Sequence, residues 1–150
     1  MRTAYARSTV PLQPDGALRL WTDVDRWPSF VEGFAHTLER SPGWPAEGER
    51  VVWESGPGGR GRVTEKVVES RDDRFSTIVL EAALTGRQTL RVAPHTVGAE
   101  VELSLEYTLT KYGPLNAVAD AIFVRRALRD ALARTLRRFA VEAEDEAGLR

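Results

Sequence analysis

Glu100-Val101-Glu102-Leu103-Ser104-Leu105-Glu106-Tyr107-Thr108-Leu109-Thr110 alternates without a fault. Val101, Leu103, Leu105, Tyr107 and Leu109 share one face, and Glu102, Ser104, Glu106 and Thr108 the other, which is the period of a strand with one side wet and one side covered. After it the period changes. From Pro114 to about Glu144, Ala117, Ala121, Val124, Leu128, Ala131, Leu132, Thr135 and Phe139 fall on one helical stripe, opened by Gly113 and by proline at the first helical position, where its missing N–H costs nothing. At 1.5 Å per residue such a helix is about 45 Å long, so it must lie across something broad. In this chain only a sheet is broad enough, and a curved sheet gripping one helix leaves a space between them that apolar side chains line.

Upstream, the same period of two predicts strands at Phe34 to Arg40, Glu49 to Ser55, Arg62 to Ser70, Phe75 to Glu81 and Arg87 to Ala93. The breaks between them are Ser41 to Pro45, Gly56 to Gly61, Arg71 to Arg74, Thr85-Gly86 and Pro94 to Gly98. Breaks this short force antiparallel neighbours, because a parallel crossover needs about a dozen residues. A first strand, Thr3 to Val10, ends at Pro11 and Pro14. Two short helices follow, one with Asp15 at its N-cap and one over Asp25 to Phe30 capped by Asp25. The expected fold class is α+β: a curved antiparallel sheet of about seven strands around a long C-terminal helix, in one domain over residues 1–150. The tail after Glu142 is expected to fray.

Composition narrows the partners. Against 21 Lys and Arg stand 22 Asp and Glu, a formal net charge of −1, so no global field draws nucleic acid or a membrane surface. The arginines of the long helix, Arg125 to Arg138, read as a solvated outer face interleaved with Asp130. Cysteine is absent, which removes disulfides, thiolate metal sites and cysteine nucleophiles. No stretch approaches the roughly 18 apolar residues of a membrane span, and Met1 to Arg7 has no apolar core of a signal peptide; a cytoplasmic protein without stable membrane insertion is expected. A homodimer stays open.

The order of strand, two short helices, meander and long helix resembles the START-like (SRPBCC) superfamily with its helix-grip fold, within it the polyketide cyclase/dehydrase-type branch of single-domain proteins. The resemblance is carried by Leu20-Trp21-Thr22-Asp23-Val24-Asp25-Arg26-Trp27-Pro28-Ser29-Phe30-Val31-Glu32-Gly33-Phe34, by Arg62-Val63-Thr64-Glu65-Lys66-Val67, and by Leu128 to Leu136. It implies a cavity for lipids, polyketides, quinones or hormones in some members, and cyclase or aromatase chemistry in others.

Within that frame Trp21, Trp27, Phe30 and Phe34 cluster at the short helices, where the resemblance puts the cavity rim; packed core and ligand contact are both open readings for aromatics here. Trp53 alternates with Val51 and Ser55 and is expected to point inward. Leu103, Leu105 and Tyr107 supply the sheet wall, and Val118 and Ile122, with Leu115 and Phe123, widen the helix stripe into a second surface facing the cavity. Glu65 shares a face with Val63 and Val67. Buried alone, its carboxyl would have a raised pKa and serve as a general acid or base; paired or in the other register it would not. Glu81 carries the same ambiguity, and Arg126 or Arg129 pointing inward would suit an oxyanion. His36 and His95 are too far apart for a metal site, no serine has nucleophile context, and the glycine-rich turn lacks what a phosphate loop needs, so neither metal nor cofactor is expected. The expected function is binding of a hydrophobic small molecule (lipid, polyketide, isoprenoid or aromatic). The alternatives are a cyclase/dehydratase-type enzyme using an inward Glu or Arg, and a module that docks another protein or a quinone-carrying complex through its basic helix or its aromatic rim.

Overall fold

The structure, a computed structural model, describes residues 2–110 and 117–149, with only the backbone of residues 117–121. Pro114, Leu115 and the side chain of Val118 lie outside what is described. Among the described residues, β1 (Arg2–Val10), β2 (Phe34–Arg40), β3 (Arg50–Ser55), β4 (Arg62–Arg71), β5 (Arg74–Leu80), β6 (Leu84–His95) and β7 (Gly98–Leu109) form one antiparallel sheet in the order β1-β7-β6-β5-β4-β3-β2. The meander from β2 to β7 is continuous, and β1 closes it by pairing with β7, Ala4 opposite Leu105 and Ala6 opposite Leu103. Helices α1 (Pro14–Thr22) and α2 (Trp27–Phe30), joined through a single 3-10 turn at Val24–Arg26, lead into the sheet, and α3 (Ala117–Glu146) crosses its inner face.

Local chemistry moves some boundaries. The N-cap of α1 is Gln13 with Pro14 at the first helical position; Asp15 therefore sits in the first turn, where it pairs with Arg19 at 3.0 Å. In the next turn Asp23, not Asp25, is the cap, its Oδ1 accepting from the Asp25 N–H at 3.2 Å. β6 runs through Thr85-Gly86 instead of breaking there. Gly86 lies opposite Tyr107, and a Cβ at that position would come within 2.5 Å of the Glu106 carbonyl oxygen, so glycine here serves close strand approach and not a turn. The turn falls at Glu81 to Ala83.

The core lies between the sheet and the second half of α3. Phe139 is fully buried, with ring centroids 5.4 Å from Trp21 and 5.1 Å from Phe30. Leu132, Leu136 and Ala143 extend this stripe. The expected widening of the first half fails: Ile122 is 59% and Phe123 74% exposed. Nine residues separate Phe123 from Leu132, about two and a half turns, so Phe123 stands on the side of the helix opposite the stripe. Nor is the end of the helix frayed, because Arg26 Nε reaches Glu142 at 2.9 Å and its Nη1 reaches Glu146 at 2.7 Å. The Ser41 to Pro45 break carries an unexpected part of the core: Trp44 packs edge-on against Trp27 and Phe75 and donates its indole N–H to the Thr22 carbonyl at 2.8 Å.

Candidate functional site

Sheet register decides which side chains face the helix. Trp53 and Glu65 are diagonal neighbours, since Glu65 pairs with Val51 on one side and Val79 on the other. The same diagonal brings Thr77 to Glu65 from β5. Trp53 Nε1 donates to Glu65 Oε2 at 2.8 Å and Thr77 Oγ1 donates to Oε1 at 3.0 Å. Glu65 is 5% exposed, and this burial pushes its pKa above the ordinary carboxylate value, opposed by the Trp53 hydrogen bond, the charge of Arg60 and the Thr77 hydrogen bond. Trp53, Glu65 and Thr77 thus bring polar groups from three adjacent strands together in a largely apolar face.

Arg60, from the glycine-rich turn, lies over the Trp53 ring with its guanidinium carbon 5.0 Å from the centroid, and its Nε donates to Glu81 at 2.6 Å. Glu81 is buried at the strand end and holds this guanidinium in place. Next to it, Thr77 pairs with Gln88 and Gln88 with Leu105. The Gln88 side chain is half-buried, its amide is not sealed from solvent, and it has no hydrogen-bond partner among the described residues.

Trp53, Glu65, Arg60 and Gln88 border a cavity of about 70 Å³, open on one side. Trp21, Trp27, Val31, Leu103, Leu105, Leu128, Ala131 and Leu132 give it apolar walls; Trp53, Glu65, Arg60, Gln88, Glu32 and Thr135 are the polar or partly polar groups on it. Glu32 is held on the helix side, its backbone N–H donating to Thr135 Oγ1 at 3.0 Å and its Oε1 accepting from Arg134 at 2.9 Å. Its Oε2 lies 2.8 Å from Arg138 Nη1, an ion pair too bent to be a hydrogen bond.

Of the residues singled out in the sequence, Trp21, Trp27, Trp53, Glu65, Leu103 and Leu105 border the cavity. Phe30, Phe34 and Tyr107 do not. Phe30 and Tyr107 are fully buried in the core, and Phe34 stacks between Trp27 and Trp53 with centroids at 6.1 and 5.2 Å, one layer behind the wall. Ile122 faces solvent, and Arg126 and Arg129 are exposed, so neither of these two arginines points into the cavity. His36 is also on the wet side, 3.4 Å from Glu54. Arg60, Gln88, Thr77, Glu32 and Thr135 were not singled out. Gln88 was findable, because Leu84, Leu90 and Val92 fix the inward phase of its strand and put a polar side chain on an apolar face; Arg60 and Glu32, in loops, have no periodicity to betray them. Among the described residues no group of three or more His, Asp or Glu side chains converges as a metal site.

The family described as polyketide cyclase/dehydrase and lipid transport matches residues 1–144. The chain belongs to that family. No curated protein matches it. Solved structures do so at the level of fold: TTHA0849 from Thermus thermophilus, at 17% identity and a TM-score of 0.78, over 97% of this chain and 99% of that one; CV1439 from Chromobacterium violaceum, at 16% identity and 0.67, over 96% and 99%. The di-domain ARO/CYC protein StfQ of the steffimycin biosynthetic pathway matches at 18% identity and 0.76, over 97% of this chain and 51% of its own. This polyketide cyclase/dehydrase family member therefore has the curved-sheet, helix-grip fold of its structural neighbours, and its family supports a ligand-binding or cyclase role. Among the described residues no helix is long and apolar enough to cross a membrane.

Proposed function

We propose that this protein binds a hydrophobic small molecule, a lipid, polyketide, isoprenoid or aromatic compound, between its sheet and α3. The observation that carries the reading is an apolar-walled cavity, open at one side, with one buried carboxyl on its floor. Its volume of about 70 Å³ is under half of the about 150 Å³ that holds a benzene in an engineered cavity. A ligand therefore seats its head group against the polar floor and displaces the half-buried wall at Leu128 and Ala131 to seat the rest. Native mass spectrometry of freshly purified protein, followed by solvent extraction, tests this: an apolar compound retained on the folded protein is expected. A bare protein that also fails to take up any of a panel of lipids, isoprenols and polycyclic phenols overturns it.

The inward Glu65 favours a second reading, a cyclase/dehydratase. Its carboxylate would remove a proton from the carbon α to a substrate ketone while the Arg60 guanidinium stabilises the enolate oxygen. The carboxylic acid so formed would return that proton to a β-hydroxyl, which leaves as water as the carbon–carbon double bond forms. Ultraviolet detection of enone formation from a β-hydroxy ketone tests it; turnover that is unchanged in Glu65→Gln sinks this role for Glu65. Docking of a partner through an exposed aromatic rim has no support, since Trp27 and Phe30 are buried.

A further inference from the structure

Among the polar side chains on the cavity, Gln88 makes no hydrogen bond or ion pair to any described residue, whereas Glu32 Oε2, which lacks a hydrogen bond, is ion-paired with Arg138. Glu65 already accepts from Trp53 and Thr77, Arg60 is tied to Glu81, Glu32 to Arg134, and Thr135 accepts from the Glu32 N–H. The Gln88 amide has both a donor and an acceptor to offer, has no partner among the described residues, and is not sealed from solvent. It is fixed on a central strand, paired on both sides by β5 and β7, with apolar Leu105 beside it, so it cannot swing away to solvent cheaply. A half-buried amide on an apolar wall, partnered by no side chain, is free to bond a ligand oxygen or nitrogen that displaces water from it.

The charges around it restrict what that ligand is. Two carboxyl groups, Glu65 and Glu32, border the cavity, and the guanidinium of Arg60 is already shared with Glu81. A ligand carboxylate would thus meet two carboxyl groups against a single guanidinium already paired with Glu81, while an ammonium would be brought against Arg60. On the ligand-binding reading above, we infer that Gln88 is the specificity-determining residue of this cavity, anchoring an uncharged, oxygen-bearing head group (a phenol or ketone) and leaving carboxylates such as fatty acids excluded.

Three matched probes separate the terms: toluene, 4-methylphenol and 4-methylbenzoate share one ring and differ only in the head group. Titrations are followed at pH 7.5 by the indole N–H signals of Trp21, Trp27 and Trp53, which border the cavity. The expected order is 4-methylphenol tighter than toluene by about 3- to 10-fold, the worth of one neutral hydrogen bond, and 4-methylbenzoate weaker than 4-methylphenol by at least about 10-fold. In Gln88→Met, close in length but apolar, the phenol's advantage over toluene in the same variant shrinks to within about twofold. A benzoate as tight as the phenol, a phenol no tighter than toluene, or an undiminished advantage in Gln88→Met overturns the role of Gln88 while leaving ligand binding intact. If none of the three shifts the indole signals of the wild-type protein, binding in this cavity falls and the inference with it. The wild-type comparison stands whatever the stability of the variant.

Discussion

Trp53 donates its indole N–H to Glu65 across the β3–β4 pair at 2.8 Å, from a position one diagonal step away in the register. Both side chains are buried, so the bond stabilises a charge that has almost no water to rely on. It also ties the floor of the cavity to the aromatic layer behind it, because the Trp53 ring stacks on Phe34 and carries the Arg60 guanidinium on its face.

Trp53→Phe keeps the ring and removes the donor. The expected loss is about 1–3 kcal/mol at pH 8, where the carboxylate keeps only the Arg60 charge and the Thr77 hydrogen bond, and a smaller one at pH 5, where the acid is more protonated. Urea unfolding at both pH values measures it. An equal loss at the two would show that ring packing, and not the indole N–H, accounts for the effect.

Burial raises the Glu65 pKa, so the folded protein holds this proton more tightly than the unfolded chain does. The sign follows by linkage: the folded state binds more protons between the unfolded value near 4.5 and the higher folded one, and stability contributed by this group is full below that window and lost as pH rises through it. Wild type is therefore expected to lose stability relative to Glu65→Gln as pH climbs above about 4.5, with the difference constant once Glu65 is ionised in both states. Denaturant midpoints of the two proteins from pH 4 to 8 give the curve. A wild type that gains on Glu65→Gln over that range would mean the hydrogen bonds and Arg60 outweigh burial.

Gly86→Ala should be far worse than its size suggests. Its new Cβ would press to 2.5 Å on the Glu106 carbonyl oxygen and 3.2 Å on Tyr107 Cβ, both on a paired strand that cannot move aside, and a cost of about 1–3 kcal/mol is expected. Gly56→Ala, with nothing within 4 Å, serves as the control and should change stability by less than about 0.5 kcal/mol. Similar melting curves for the two variants would contradict the close strand approach.

Arg26 joins the turn before α2 to the end of α3 through Glu142 and Glu146. Because the Arg26 side chain is 31% exposed and that of Glu142 13%, the pair is partly screened, and Arg26→Met is expected to cost about 1 kcal/mol or less globally. Its local effect should be larger: amide exchange in residues 140–149 accelerates while the sheet is unchanged. Exchange that stays slow there would mean that Phe139 and Ala143 alone hold the helix end.

The fold was legible because its two periods are clean. Val101 to Leu109 gave the inner face of the sheet, and Leu128, Leu132 and Phe139 the gripping stripe, since burial leaves a repeating trace when an element has one wet side. The cavity was legible only in part. Glu65 could be put on the inner face by alternation with Val63 and Val67, whereas Arg60 arrives from a turn and Trp44 from a loop, where no period links position to direction. Ile122 and Phe123 misled for a related reason: apolar character alone does not say which side of a helix is covered, and the angular offset from Leu132 does.

Ala131→Leu probes the cavity itself. Ala131 is half-buried on the helix wall, and a leucine there adds about three carbons to a space of about 70 Å³, filling most of it without displacing Phe139 or Leu136. Stability should change by less than about 1.5 kcal/mol, because an apolar side chain enters an apolar-walled gap near a surface able to give. Binding of toluene or 4-methylphenol, and any compound retained on purification, should be lost together. Loss of stability with binding unchanged would place the ligand elsewhere on the protein, and unchanged binding with unchanged stability would mean that the wall at Ala131 moves aside freely enough for the resting volume not to limit what the cavity takes.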